Sequence, residues 1–143
     1  MGFTEAVRTV LTQKYATFSG RAPRSEYWWF QLFYWLVGMA LLTANFLVTG
    51  GLRPQEVGIF PIIGGLLSIA VIVPQISLQV RRFHDRNISG WWYLGLLVSC
   101  LIPFVAILSI IAIFVINVLR GTEGPNKFGP DPLRPEARAE VFA

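Results

Sequence analysis

Two long stretches without a charged residue constrain the fold of this chain more than any other feature. They run from 27 to 49 and from 57 to 80, and each meets the roughly 20 residues that a helix needs to cross a bilayer. Only 14% of the chain is charged, against about a quarter in soluble domains, and its mean hydropathy is +0.55. The pattern predicts an all-α fold, a polytopic integral membrane helical bundle.

A third uncharged run, from 91 to 119, is too long for one span and too short for two. As a single helix its 29 residues would reach about 44 Å, beyond a hydrocarbon core of roughly 30 Å. Pro103 divides it, so it forms either a hairpin of two short helices or one kinked, tilted helix. The hairpin leaves Arg53 as the only Lys or Arg on the far side. The positive-inside rule therefore favours the hairpin, with both termini cytoplasmic.

The flanking segments are more polar. In segment 1–26, Phe3, Val7 and Val10 begin a series of apolar residues at helical spacing, which predicts an amphipathic helix. This helix either lies in the membrane interface or packs its apolar stripe on the bundle. Segment 120–143 is rich in Gly and Pro and is expected to form a cytoplasmic tail made of turns, with a short helical end.

Charge and cysteine content narrow the possible partners. The net charge is +4 with a pI near 9.7, but the basic residues flank apolar runs and form no continuous stripe. We therefore expect membrane lipids, and no nucleic acid, as partners. The single cysteine, Cys100, excludes an internal disulfide and a Cys-based metal cluster. We expect no cofactor and no metal.

The stretch "RRFHDR", residues 81 to 86, lies between the second and third uncharged runs. One interpretation is a topology anchor that keeps a loop in the cytoplasm. The other is half of a polar site, because the anchoring role needs no histidine or aspartate.

Three phrases resemble a known family: "FSGRAPRSEYWWF" (18 to 30), "RRFHDRNISGWWYL" (81 to 94) and "GTEGPNKFGPDP" (121 to 132). Together, in this order and spacing, they resemble the domain of unknown function 805 family, the YhaH-like bacterial inner-membrane proteins. The resemblance covers about residues 13 to 132. It implies a small multi-span protein of the bacterial cytoplasmic membrane, and it implies no activity.

On the hairpin topology the three phrases meet at one membrane surface, where they predict a polar cluster. Guanidinium groups recognise phosphate oxygens bidentately, so this cluster is a candidate site for an anionic lipid headgroup or a membrane partner. In the simpler interpretation, the carboxylates pair with some of the arginines and the other arginines anchor the topology. The candidate site residues are Arg21, Arg24, Glu26, Arg81, Arg82, His84, Asp85 and Asn126.

Other functions are less favoured by the residues. His84 could act as a general acid or base on lipid headgroups, but Asp85, its neighbour on a helix, would not face it. A small transporter or assembly subunit is supported only by prolines and glycines in the spans, which hold no charge that would mark an ion path. Gly64 and Ser68 form a small-residue pair that could seat a neighbouring helix, in this chain or in a homo-oligomer.

Overall fold

The computed structural model describes residues 1–51 and 58–134. Arg53, the start of the second predicted span at 57 and positions 135–143 of the predicted tail lie outside these residues. The described residues form helices and turns, with no strand, which confirms the all-α fold class. The helices are α1 (Phe3–Arg8, continued by a π-helical turn, Thr9–Gln13), α2 (Arg24–Thr49), α3 (Ile59–Asp85), α4 (Gly90–Ser99) and α5 (Pro103–Val118).

Helices α2 and α3 are each long and apolar enough to cross a membrane. With 26 and 27 residues they reach about 40 Å, and they pack antiparallel. The Tyr34 hydroxyl lies 3.2 Å from Ser68 Oγ, and a Cβ built on Gly64 would lie 3.6 Å from Leu41 Cδ1. The small pair Gly64 and Ser68 therefore seats α2 of the same chain.

The outer surface of the bundle is apolar, and its interior is polar at one end. Leu47 on α2 and Ile69 on α3 are 74% and 66% exposed, whereas Arg81 and Arg82 at the end of α3 are fully buried. A water-soluble domain shows the reverse arrangement. The exposed aliphatic surface fits a hydrocarbon solvent and supports the membrane assignment.

Helices α4 and α5 form a hairpin that stands beside α3. Chain direction reverses at Cys100–Ile102, and the hydroxyls of Ser99 and Ser109 lie 2.6 Å apart. Pro103 begins α5, where its missing N–H breaks no helical bond. The 16 residues of α5 reach about 24 Å, less than the roughly 30 Å of a hydrocarbon core.

The amphipathic N-terminal segment packs on the bundle, the second of the two arrangements expected for it. Ala6 and Val10 are fully buried, and the Phe3 ring meets Trp29 edge-on at 5.9 Å. Ser77 Oγ on α3 lies 3.2 Å from the carbonyl oxygens of both Lys14 and Tyr15, within reach of its single hydrogen. These contacts place the first turns of the chain against α2 and α3 near the end where α2 begins.

Candidate functional site at the polar end

One end of the bundle, called here the polar end, collects the start of α2, the end of α3, the end of α5 and the turns that follow it. The chain folds this way because α3 continues past Val80 to Asp85 before the turn at Asn87. The expectation that "RRFHDR" forms a loop is therefore wrong for residues 81–85. They are helical and buried, because neighbouring segments supply acceptors for the two guanidinium groups: the Glu26 carboxylate for Arg81 and the Leu119 carbonyl for Arg82.

Arg81 and Glu26 form a buried ion pair between α3 and α2. Arg81 Nη1 lies 2.5 Å from Glu26 Oε1, and both residues are fully buried. The backbone carbonyl of Arg81 accepts a hydrogen bond from the Ala22 N–H at 3.1 Å. Among the described residues, Glu26 Oε2 and Arg81 Nε and Nη2 have no partner. The pair fixes the entry of α2 against the end of α3.

Asp85 is the centre of a second network. Its Oδ1 accepts from Arg21 Nε at 2.9 Å and its Oδ2 accepts from Arg82 Nη1. The backbone of Gly121 passes so close that a Cβ there would lie 2.0 Å from Asp85 Oδ2. One carboxylate thus serves two guanidinium groups, and the group keeps a net positive charge.

The same arginines bind the segment that follows α5, residues 119–131, called here the strap. Arg21 donates to the carbonyls of Thr122 and Gly124 at 2.5 and 2.6 Å. Arg82 donates to the carbonyl of Leu119. The side chain of Asn126 donates to the His84 carbonyl at 2.9 Å. The arginines therefore fasten the strap across the end of α3.

His84 is separated from the carboxylates. Its Nδ1 lies 3.1 Å from the Gly20 carbonyl oxygen, and its ring stacks on Phe128 with centroids 3.8 Å apart and planes 4° from parallel. The neighbouring Asp85 is taken by Arg21 and Arg82. Acid–base chemistry with a carboxylate that orients His84 has no geometric support in the described residues.

The structure brings the eight predicted site residues to the polar end, but in different settings. Arg21, Arg82, Asp85 and Asn126 hold the strap, and Glu26 pairs with Arg81. Arg24 is exposed, with Nη1 donating to the Val118 carbonyl at 2.9 Å. Whether these residues bind a lipid stays a prediction.

Several polar residues of the site were missed by the sequence analysis. Asn117 is buried, and its Nδ2 donates to the Tyr27 hydroxyl at 3.0 Å while its Oδ1 accepts from Gln79 at 2.9 Å. The available signal was a neutral polar residue near the end of an apolar run, since a buried amide needs a partner. This group joins α2, α3 and α5 just inside the polar end.

Asp131 closes the strap and was also missed. Its carboxylate accepts from the N–H groups of Gly124 at 3.1 Å and Leu133 at 2.9 Å. Burial by itself would raise the pKa of Asp131, but these two hydrogen bonds and the charges of Arg21 and Arg134 bring it below its ordinary value. The ionised carboxylate is therefore the form that stabilises this turn.

Two large concavities open at the polar end in the part of the chain that the structure describes. The first, called here the arginine pocket, has a volume of about 730 Å³ and is lined by Arg24, Ser25, Trp28 and Arg120, with Asp85 among its other lining residues. The second, the histidine groove, has a volume of about 470 Å³ and lies between His84, the start of α4 and the strap.

Comparisons with known proteins agree with the architecture. The family model described as "Protein of unknown function (DUF805)" matches residues 15–130. "Inner membrane protein YhaH" of Escherichia coli (strain K12) is 40% identical over 120 residues, which are 84% of this chain and 90% of that protein. "Inner membrane protein YhaI" of the same strain is 34% identical over 120 residues, 84% of this chain and 89% of that protein. No solved structure gives a significant match. The chain therefore belongs to the DUF805 family, a family of unknown function with inner membrane proteins among its members.

Proposed function

We propose that the polar end faces the cytoplasm and that the arginine pocket binds the anionic headgroup of a membrane lipid. The observation that carries the proposal is the pairing of two exposed arginines, Arg24 and Arg120, in one open pocket of about 730 Å³. Within residues 1–51 and 58–134, Asp85 is the only carboxylate that lines the pocket, and it is already neutralised by Arg21 and Arg82. The described side chains that line the pocket therefore carry a net positive charge, which favours a phosphate group.

The exposed arginines, rather than the buried ones, are available to bind a ligand. Arg21 and Arg82 donate to Asp85 and to strap carbonyls, and Arg81 pairs with Glu26. At most 5% of each of these three arginines is exposed, so a ligand in the open pocket cannot reach them. Arg120 side-chain atoms are 70% exposed, and its ion pair with Glu123 is long at 3.7 Å. A solvated pair at that distance holds the guanidinium weakly, so Arg120 is available to a ligand.

The walls of the pocket also suit a lipid headgroup. Trp28 is 41% exposed, and indole rings favour the boundary between headgroups and acyl chains. Helix α2 begins at this pocket after Pro23, with no side-chain cap on its first amides. Free N–H groups at a helix start favour an anion.

The orientation rests on the distribution of basic residues. Among the described residues, no Lys or Arg lies at the opposite end of the bundle, where α2 ends and α3 begins, or in the turn between α4 and α5. Basic residues remain on the cytoplasmic side of bacterial membrane proteins. That rule supports a cytoplasmic polar end.

The test is a competition between two lipids for the purified protein. Native mass spectrometry with equal amounts of phosphatidylglycerol and phosphatidylcholine, matched in acyl chains, should show preferential retention of the anionic lipid. The double variant Arg24→Ala/Arg120→Ala should weaken that preference by roughly 30-fold, since each Arg near an anionic surface contributes about 1 kcal/mol.

A matched control uses another exposed arginine. Arg8→Ala removes one positive charge from α1, as each single variant Arg24→Ala and Arg120→Ala does at the pocket, but away from the residues that line it, and should leave the preference unchanged. An unaltered preference in the folded double variant, or an equal loss in Arg8→Ala, would show that the pocket does not bind the headgroup.

A further inference from the structure

The histidine groove is separate from the arginine pocket and differs from it in chemistry. It is lined by His84 and Ser89 on its polar side and by Phe18, Trp91 and Phe128 on its aromatic side. Trp91 is 79% exposed on the outer surface of α4, so the groove opens toward the side of the bundle. An amphiphile that enters it from the membrane keeps its chains in the hydrocarbon.

His84 presents an unused hydrogen-bond acceptor to this groove. The residue is only 9% exposed, and its Nδ1 lies 3.1 Å from the Gly20 carbonyl. A carbonyl oxygen only accepts, so Nδ1 carries the hydrogen, and in the neutral ring Nε2 keeps a lone pair. Nε2 makes no hydrogen bond to the residues that the structure describes. A group that satisfies Nε2 must therefore be a donor.

The rim of the groove favours a negative charge. Ser89 precedes α4 and makes no side-chain capping bond, so its hydroxyl and the first amides of the helix remain available as donors. Lys127 Nζ lies 5.0 Å from the centre of the Phe128 ring. His84 Nε2 requires a hydrogen-bond donor, and the groups at the start of α4 favour an anion. Together they favour a headgroup that carries a phosphate and, at its far end, a hydrogen-bond donor.

We propose that the histidine groove binds a zwitterionic membrane lipid whose phosphodiester ends in a primary ammonium group, as in phosphatidylethanolamine. The ammonium donates to His84 Nε2 beside the rings of Phe18 and Trp91, which attract a cation. The phosphate lies at Ser89 and the start of α4, with Lys127 nearby. The acyl chains pass over Trp91 and Leu94 into the membrane.

The test compares two lipids that differ only in the substituents of the headgroup nitrogen, which are three hydrogens in one and three methyl groups in the other. Native mass spectrometry of the purified full chain, with equal amounts of phosphatidylethanolamine and phosphatidylcholine of identical acyl chains, should show about fivefold more of the former. A ratio of about five corresponds to the free energy of one net hydrogen bond. The choline group cannot form this bond because it has no N–H. An equal retention of the two lipids overturns the proposal without any mutation.

Variants then locate the effect. His84→Phe keeps an aromatic ring to stack on Phe128 and removes the acceptor, so the ratio should fall to one. Arg24→Ala/Arg120→Ala, which alters only the first pocket, should leave the ratio near five. A ratio of five that persists in folded His84→Phe refutes the assignment to this groove. Because the two assays use different lipid pairs, failure of one site is distinguishable from failure of the other.

Discussion

Gly121 gives the most direct test of how the strap is held. A Cβ at this position would lie 2.0 Å from Asp85 Oδ2, 2.6 Å from Cγ and 2.7 Å from Oδ1. Arg21 and Arg82 hold that carboxylate, so it moves aside only by breaking charge-assisted hydrogen bonds. Each such bond contributes about 1.5–3 kcal/mol. We expect Gly121→Ala to lower the free energy of unfolding by about 3 kcal/mol.

The assay is thermal unfolding of purified protein in detergent, with Gly95→Ala as the matched control. A Cβ at Gly95, within α4, would meet nothing within 4 Å, and alanine favours a helix over glycine by up to about 1 kcal/mol. The control should keep or slightly raise the apparent Tm. Gly121→Ala should lower it by roughly 10 °C.

A double-mutant cycle separates the clash with Asp85 from any general effect of the new methyl group. In an Asp85→Ala background the carboxylate atoms that this methyl group would meet are gone, so Gly121→Ala should cost little further stability. The same cost in both backgrounds, or a Tm equal to that of Gly95→Ala, would refute the placement of the strap on Asp85.

The remaining predictions address the ion pair, the end of the strap and the hairpin. Glu26→Gln and Arg81→Met should each lower the free energy of unfolding by about 3–5 kcal/mol, because each leaves a buried polar partner unpaired, and the double variant should lose less than their sum. Wild type should have a higher Tm than Asp131→Asn at pH 7. That difference should vanish as the pH falls below about 4, because a carboxylate with a lowered folded-state pKa stabilises only while ionised; a difference independent of pH would contradict this. Cys100, at the turn of the hairpin, should react with membrane-permeant N-ethylmaleimide and resist an impermeant maleimide from either side, because α5 is shorter than the hydrocarbon core. Rapid impermeant labelling from outside would show that the hairpin crosses.

Much of the fold follows from the distribution of charge along the chain. The uncharged runs indicate α2 and α3 because only a helix satisfies its own backbone in hydrocarbon. Pro103 marks the break between α4 and α5 because it lacks an N–H. These signals are local in sequence, so they predict the helices without knowledge of the tertiary structure.

The pairing of charged residues within the site could not be predicted in the same way. Asp85 pairs with Arg21, 64 positions away, and with Arg82, three positions away; nothing local distinguishes these partners from Arg24 or Arg86. Arg82 is buried by its pairing with Asp85, and Arg81 by its pairing with Glu26 on α2. Two residues that were expected to anchor a loop therefore form part of the polar interior of the bundle. The sequence gives Arg120 the pattern of an ordinary flanking charge, and only the tertiary structure shows that it lines the same pocket as Arg24.

The central claim is that the loop before α2, the end of α3 and the strap meet at one cytoplasmic surface. Two single-cysteine proteins test it, each with Cys100→Ser and carrying either Ser19→Cys or Lys127→Cys at an exposed position. An impermeant maleimide should label neither in intact cells and both after permeabilisation. Labelling of Lys127→Cys but not Ser19→Cys in intact cells would place Asn126 across the membrane from His84, and the polar end would not exist as one surface.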